Sequence, residues 1–107
     1  MNSFEIEISD NYEHEIVTTL NKIDKSALGF VVKKFEIYQS RGFLNCCLKN
    51  DIKDFRNGLY EIRIKYKGIA LRFLGSYKNN TFIIVHVINK KTQKTPLSEI
   101  RKALKRI

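Results

Sequence analysis

The clearest hydrophobic pattern in the chain is a two-residue alternation from Leu59 to Tyr66, with Tyr60, Ile62, Ile64 and Tyr66 at one parity and Leu59, Glu61, Arg63 and Lys65 at the other. Such alternation predicts a strand with one face packed and the other turned to solvent or a ligand. A second strand is predicted over Ile69 to Tyr77. A third is predicted over Phe82 to Ile88, where apolar residues occupy both parities and only His86 interrupts them. That run reads as an internal, well-covered strand. Lys67-Gly68 and Asn79-Asn80 supply the turns, because Gly and Asn tolerate positive φ. The three strands form an antiparallel meander that opens into Asn89-Lys90-Lys91-Thr92-Gln93-Lys94.

Upstream, Phe4-Glu5-Ile6-Glu7-Ile8 alternates apolar and acidic residues, as a short strand added to the edge of that sheet would. Ser9 and Asp10, with Glu13 placed as in a capping box, start a first helix carrying Ile16, Leu20 and Ile23 and ending near Lys22. Asp24 caps a second helix with the stripe Leu28, Val31, Phe35 and Tyr38, stopped at Ser40-Arg41-Gly42. Residues 43–57 show no period and are predicted to be loop, closing on the turn Asn57-Gly58. Thr95 as a capping hydroxyl and Pro96 as the first helical residue start a terminal helix with the stripe Leu97, Ile100, Leu104 and Ile107. Its outer side carries Arg101, Lys102, Lys105 and Arg106. The order β-α-α-β-β-β-α is an α+β layout with a mostly antiparallel sheet, and 107 residues suit a single domain spanning 1–107.

Charge sharpens this outline. The net charge is +9, and all of the excess lies after Lys53: 7 Lys/Arg face 8 Asp/Glu up to that residue, against 13 and 3 beyond it. Clustered cations attract polyanions, nucleic acid first, whereas the same charge spread evenly would only aid solubility. No apolar run is long enough to span a bilayer and the N-terminus lacks the blocks of a signal peptide, so the expectation is a cytoplasmic protein with no membrane partner. Adjacent Cys46 and Cys47 are too close for an unstrained disulfide and suit a reducing compartment. Two His and no CxxC or HxxxH spacing give a metal site almost no ligands, and neither a metal nor a cofactor is expected.

Strand parity puts Arg63 and Lys65 on the face away from Ile62 and Ile64, while Arg72, between Leu71 and Phe73, points away from the face those two pack. With Lys90, Lys91 and Lys94 at the rim, these cations suit a phosphate-binding surface; the plainer reading is a solvated basic face. His86 is either a general acid or base, or a satisfied core histidine. Glu61 is a base or, more simply, the ion-pair partner of Arg63 or Arg72. Tyr66 and Tyr77 suit stacking on a base and packing equally well. His14 has no evident partner. Gly-rich phosphate loops and Ser/His/Asp arrangements are absent.

The run Gly58-Leu59-Tyr60-Glu61-Ile62-Arg63, then Leu71-Arg72-Phe73, then Val85-His86-Val87-Ile88 followed by Asn89-Lys90-Lys91-Thr92-Gln93-Lys94-Thr95-Pro96, resembles the phage-derived, HigB-like branch of the RelE/ParE toxin superfamily. The resemblance implies the microbial RNase-like RelE fold. It also implies the toxin of a type II toxin–antitoxin pair: a ribosome-dependent mRNA interferase that inhibits translation. Such enzymes cut without metal, by attack of the ribose 2′-hydroxyl on the adjacent phosphate. The implied partners are the ribosome, mRNA and a cognate, HigA-like antitoxin with a helix-turn-helix domain. By position, Arg63, Arg72 and Lys91 match the catalytic cations, with Lys65, Lys90 and Lys94 as RNA-binding neighbours. No Tyr or His follows Lys94, where relatives often place their acid or base, so that role falls to His86 or a lysine. ParE-type relatives inhibit DNA gyrase instead, and a basic RNA-binding module without catalysis is a third reading.

Overall fold

The computed structural model describes residues 3–89 and 94–107. Five strands, β1 (Glu5–Ile8), β2 (Ile52–Asp54), β3 (Tyr60–Tyr66), β4 (Ile69–Lys78) and β5 (Thr81–Asn89), form one mixed sheet in the order β1-β5-β4-β3-β2. The meander β3-β4-β5 is antiparallel and β1 joins β5 in parallel at one edge. Its turns use positive φ where the sequence predicts it, at Lys67 (45°) and Gly68 (82°) and at Asn79 (52°) and Asn80 (63°).

Among the described residues four α-helices complete the α+β fold: α1 (Glu13–Leu20), α2 (Lys25–Arg41), α3 (Phe43–Leu48) and α4 (Leu97–Leu104). Asp24 caps α2 by accepting from the Ser26 amide at 3.2 Å, and Gly42, at φ 94°, ends it. Three expectations change. Asp10–Tyr12 forms a 3₁₀ turn, so α1 begins at Glu13 without a side-chain cap and ends at Leu20. Residues 43–57 hold α3 and β2 rather than loop alone; both are too short to show a period, and Phe43 anchors α3 by stacking on Tyr77 at 3.7 Å and meeting Tyr60 edge-on at 5.0 Å. Pro96, not Thr95, caps α4, and Leu97 is 59% exposed, so the packed stripe is Ile100, Ala103 and Leu104.

The two sheet faces are covered unequally. The first three helices lie over Ile62, Ile64, Leu71, Phe73, Phe82, Ile84 and Val87, closing the main core with Phe4, Ile16, Val31 and Tyr38. On the other face α4 covers a smaller cluster of Leu59, Leu74, Val85 and Ile88 around Ala103. A β-bulge between Leu74 and Gly75 shifts the β4–β5 register, so that Leu74 faces His86 while Gly75 faces Ile84. Phe82 and Ile84 therefore point to the main core before the bulge, and Val87 after it, which is why β5 carries apolar residues at both parities. Gly75 permits the close approach: a Cβ there would lie 2.0 Å from the Ile83 carbonyl oxygen.

Candidate nucleic-acid interface

Glu61 lies on β3 at the charged parity, with Lys53 of β2 and Leu74 of β4 as its cross-strand partners. Two residues along the strand, Arg63 stands opposite Arg72 of β4. The sheet thus brings the two predicted arginines together, but α4 and the segment leading into it cover one of them. Arg72 and Glu61 are each 1% exposed and Thr95 is 8% exposed. Burial is therefore the correction to Arg72 as a solvent-facing phosphate grip.

These groups bond to one another. Arg72 Nη1 donates to Thr95 Oγ1 at 3.1 Å, the Thr95 hydroxyl donates in turn to Glu61 Oε2, and Arg63 Nη2 donates to Glu61 Oε1 at 3.2 Å. Burial first, and then the neighbouring Arg63, hold the Arg72 guanidinium below its ordinary value, against the opposing pull of Glu61. The pair Arg72–Glu61 is a buried charge pair whose hydrogen bonds run through a hydroxyl, an arrangement that fixes geometry more than it adds net stability.

Arg63 is the member that reaches outward, with 27% of its side chain exposed. It lines a cleft of about 300 Å³ with Glu61, Lys53, Asn50 and Asp51. Asp51 is held by Arg41, and Lys53 lies 4.9 Å from the centre of the Phe55 ring. Lys65 and Lys94 are exposed, Lys65 beside the β3–β4 turn. Lys90 and Lys91 lie outside the described residues. A guanidinium tethered by a buried carboxylate and partly exposed to solvent is preorganised to receive a phosphate oxygen.

His86 does not join this cleft. It lies in the row Glu61–Leu74–His86, two strand spacings or roughly 10 Å from Glu61. It is 6% exposed, with Nε2 2.5 Å from Glu99 Oε1 of α4 and Nδ1 3.8 Å from Glu15 Oε2 of α1. Arg106 completes that cluster, donating to Glu15 at 2.6 and 2.9 Å and to the Val85 carbonyl at 2.9 Å. The Glu15 contact raises the Arg106 guanidinium further above its ordinary value. His86 thus fastens α4 to the sheet. Tyr66 packs on Phe30 at 4.9 Å, as Tyr77 does on Phe43, so both serve the core; His14 is exposed.

Sequence reasoning placed Glu61 as an ion-pair partner but took Thr95 for a helix cap. The signal for Thr95 was its position beside Pro96, which starts the helix by itself and releases the hydroxyl. Among the described residues no group of three or more His, Cys, Asp or Glu side chains is placed to hold a metal ion, and no helix is long and apolar enough to cross a membrane.

Neither a curated protein nor a solved structure matches the chain. The model of the phage-derived protein Gp49-like family (DUF891) matches residues 18–107, a span that takes in both arginines, Glu61, His86, Thr95 and α4. The chain belongs to the Gp49-like family of phage-derived proteins.

Proposed function

We propose that this protein is the toxin of a type II toxin–antitoxin pair and cuts mRNA on the ribosome, in the cytoplasm, without metal. Membership of a family associated with RelE-type, toxin-like proteins supports the class, and the RelE fold is part of the same reading. The observation that carries the chemistry is Arg63, held by buried Glu61 at the mouth of a cleft on the basic side of the sheet. In transesterification the 2′-oxygen attacks phosphorus, the 5′-oxygen leaves, and negative charge builds on the non-bridging oxygens. Arg63 is placed to meet that charge, while Lys53, Lys65 and Lys94 hold flanking phosphates. Arg72 supports Arg63 from beneath by keeping Glu61 and Thr95 in place. His86 acts through α4 rather than on the RNA, and the sequence-predicted contribution of Lys90 and Lys91 is as further cations at the rim. The ribosome aligns the 2′-hydroxyl and phosphate, which offsets the missing acid/base pair of the cleft.

Primer extension on a translated message, with and without ribosomes, tests this reading. Cleavage that needs ribosomes and is lost in Arg63→Ala is the expected result. Relaxed DNA with intact mRNA would assign the chain to the gyrase inhibitors instead. The proposed partner is the product of a neighbouring reading frame with a helix-turn-helix domain; growth arrest should be relieved when that product is co-expressed.

A further inference from the structure

The two edges of the sheet differ in chemistry. β2 is three residues long and carries Lys53, a short and charged edge of the kind that resists further pairing. At the far edge β1, among the described residues, pairs only with β5. The Glu5 amide donates to the Asn80 carbonyl at 3.0 Å and the Ser9 amide to the Ile84 carbonyl at 2.8 Å. By the two-residue alternation of a strand, the backbone groups of Ile6 and Ile8 face the open edge.

The side chains of Ile6 and Ile8 meanwhile line a groove of about 360 Å³ against α1 and α2, walled by Leu20, Leu28, Val32 and Phe35. Val32, on the rim, is 56% exposed. Glu5 and Glu7 project from the opposite face of β1 and are both exposed, two acids in a chain of net charge +9. An open edge, an apolar groove on one side of it and a pair of carboxylates on the other together specify a ligand.

We infer that the β1 edge binds an extended segment of another protein in which apolar residues alternate with Lys or Arg. Its backbone would pair with Ile6 and Ile8, its apolar side chains would enter the groove, and its cations would face Glu5 and Glu7. A second copy of this chain is the poorer occupant. Antiparallel pairing of two β1 strands sets Glu5 and Glu7 of one against those of the other, and like charges directly opposite are destabilising. The groove lies at the opposite edge of the sheet from the Arg63 cleft, so the inference does not depend on RNA cleavage.

The test titrates isotope-labelled protein with a short capped peptide alternating Lys and Val, against a peptide of the same composition with Lys and Val in separate blocks. Net repulsion between the basic protein and either peptide works against nonspecific binding. The alternating peptide should shift the resonances of Ile6, Ile8, Leu28 and Val32 and slow exchange of the Ile6 and Ile8 amides. Glu5→Lys with Glu7→Lys should weaken it about tenfold and admit an alternating Glu/Val peptide. Val32→Asp, an exposed change that leaves the core intact, should weaken both. Equal binding of the block peptide, shifts centred on β2, or indifference to charge reversal would overturn the inference. So would self-association that already protects the Ile6 and Ile8 amides in the free protein.

Discussion

Arg63 and Arg72 stand directly opposite each other on adjacent strands, yet Arg72 is 1% exposed whereas 27% of the Arg63 side chain meets solvent. Two guanidinium groups side by side repel, and the Glu61 carboxylate with the Thr95 hydroxyl reconciles them. The same substitution should therefore have different consequences at the two positions. Arg63→Ala removes a partly exposed partner of Glu61 and should cost about 1–3 kcal/mol while staying folded, and it should lose roughly a hundredfold to a thousandfold in cleavage rate. Arg72→Ala leaves Glu61 buried with its charge uncompensated from below and should lose about 3–5 kcal/mol of stability. Lys102→Ala, exposed on α4, is the control and should change neither. Arg72→Ala with unchanged stability would reject the supporting role.

Thr95 accepts from Arg72 and donates to Glu61, so its hydroxyl, not its methyl group, joins α4 to the sheet. Thr95→Val keeps the shape and removes one hydrogen bond from each partner, at a cost of about 1–3 kcal/mol. Thr95→Ser should restore most of it. Hydrogen exchange locates the effect: the amides of Ile100 and Ala103 should lose protection in the Val variant before those of β4 do.

The Glu15 carboxyl is held below its ordinary value of 4.5, chiefly by the hydrogen bond from Arg106, with burial opposing. A depressed folded value means the folded state binds the proton more weakly than the unfolded one. The contribution is therefore fully present above about pH 4.5 and is lost as pH falls through the folded value. Since 47% of the side chain is exposed, solvent screening limits it to at most about 1 kcal/mol. Urea titrations of Glu15→Gln and the parent should differ by that amount near neutrality and converge in acid.

Burial pushes the Cys46 thiol up to about 11, and its Sγ lies 3.4 Å from the Tyr38 carbonyl oxygen. Native Cys46 should therefore resist iodoacetamide at about pH 8, where little thiolate forms. In Cys47→Ser, labelling of Cys46 should proceed only as fast as the protein opens, and urea should accelerate it. Rapid labelling in buffer would show that the α2–α3 junction opens locally.

How far the sequence spoke can be seen at Glu61, Arg63 and Arg72. The alternation from Leu59 to Tyr66 separated Ile62 and Ile64 from Glu61, Arg63 and Lys65, and the structure keeps that separation. Parity tells which face a side chain occupies but not what covers the face. The descent of α4 over β4 is set by Ile100, Ala103 and Leu104 meeting Leu59, Leu74, Val85 and Ile88, contacts between distant parts of the chain. That descent buries Arg72 and turns His86 toward Glu99. Helix α3 and strand β2 escaped for a different reason, since six and three residues are too few for any period to register.

The bulge opposite Gly75 acts on the chain as a phase shift. Upstream of Val85 the even-numbered residues of β5 belong to the three-helix layer; downstream the odd-numbered Val87 does, while His86 and Ile88 belong to α4. Straightening the strand at this point with every residue kept would run a single phase through it and deal Ile88 and Val87 to each other's layers. The ladder itself would survive, with the same hydrogen bonds and nearly the same composition on each side. What would be lost is the partition between a side built for packing and a side built for charge, a distinction this sheet keeps by count as much as by residue type.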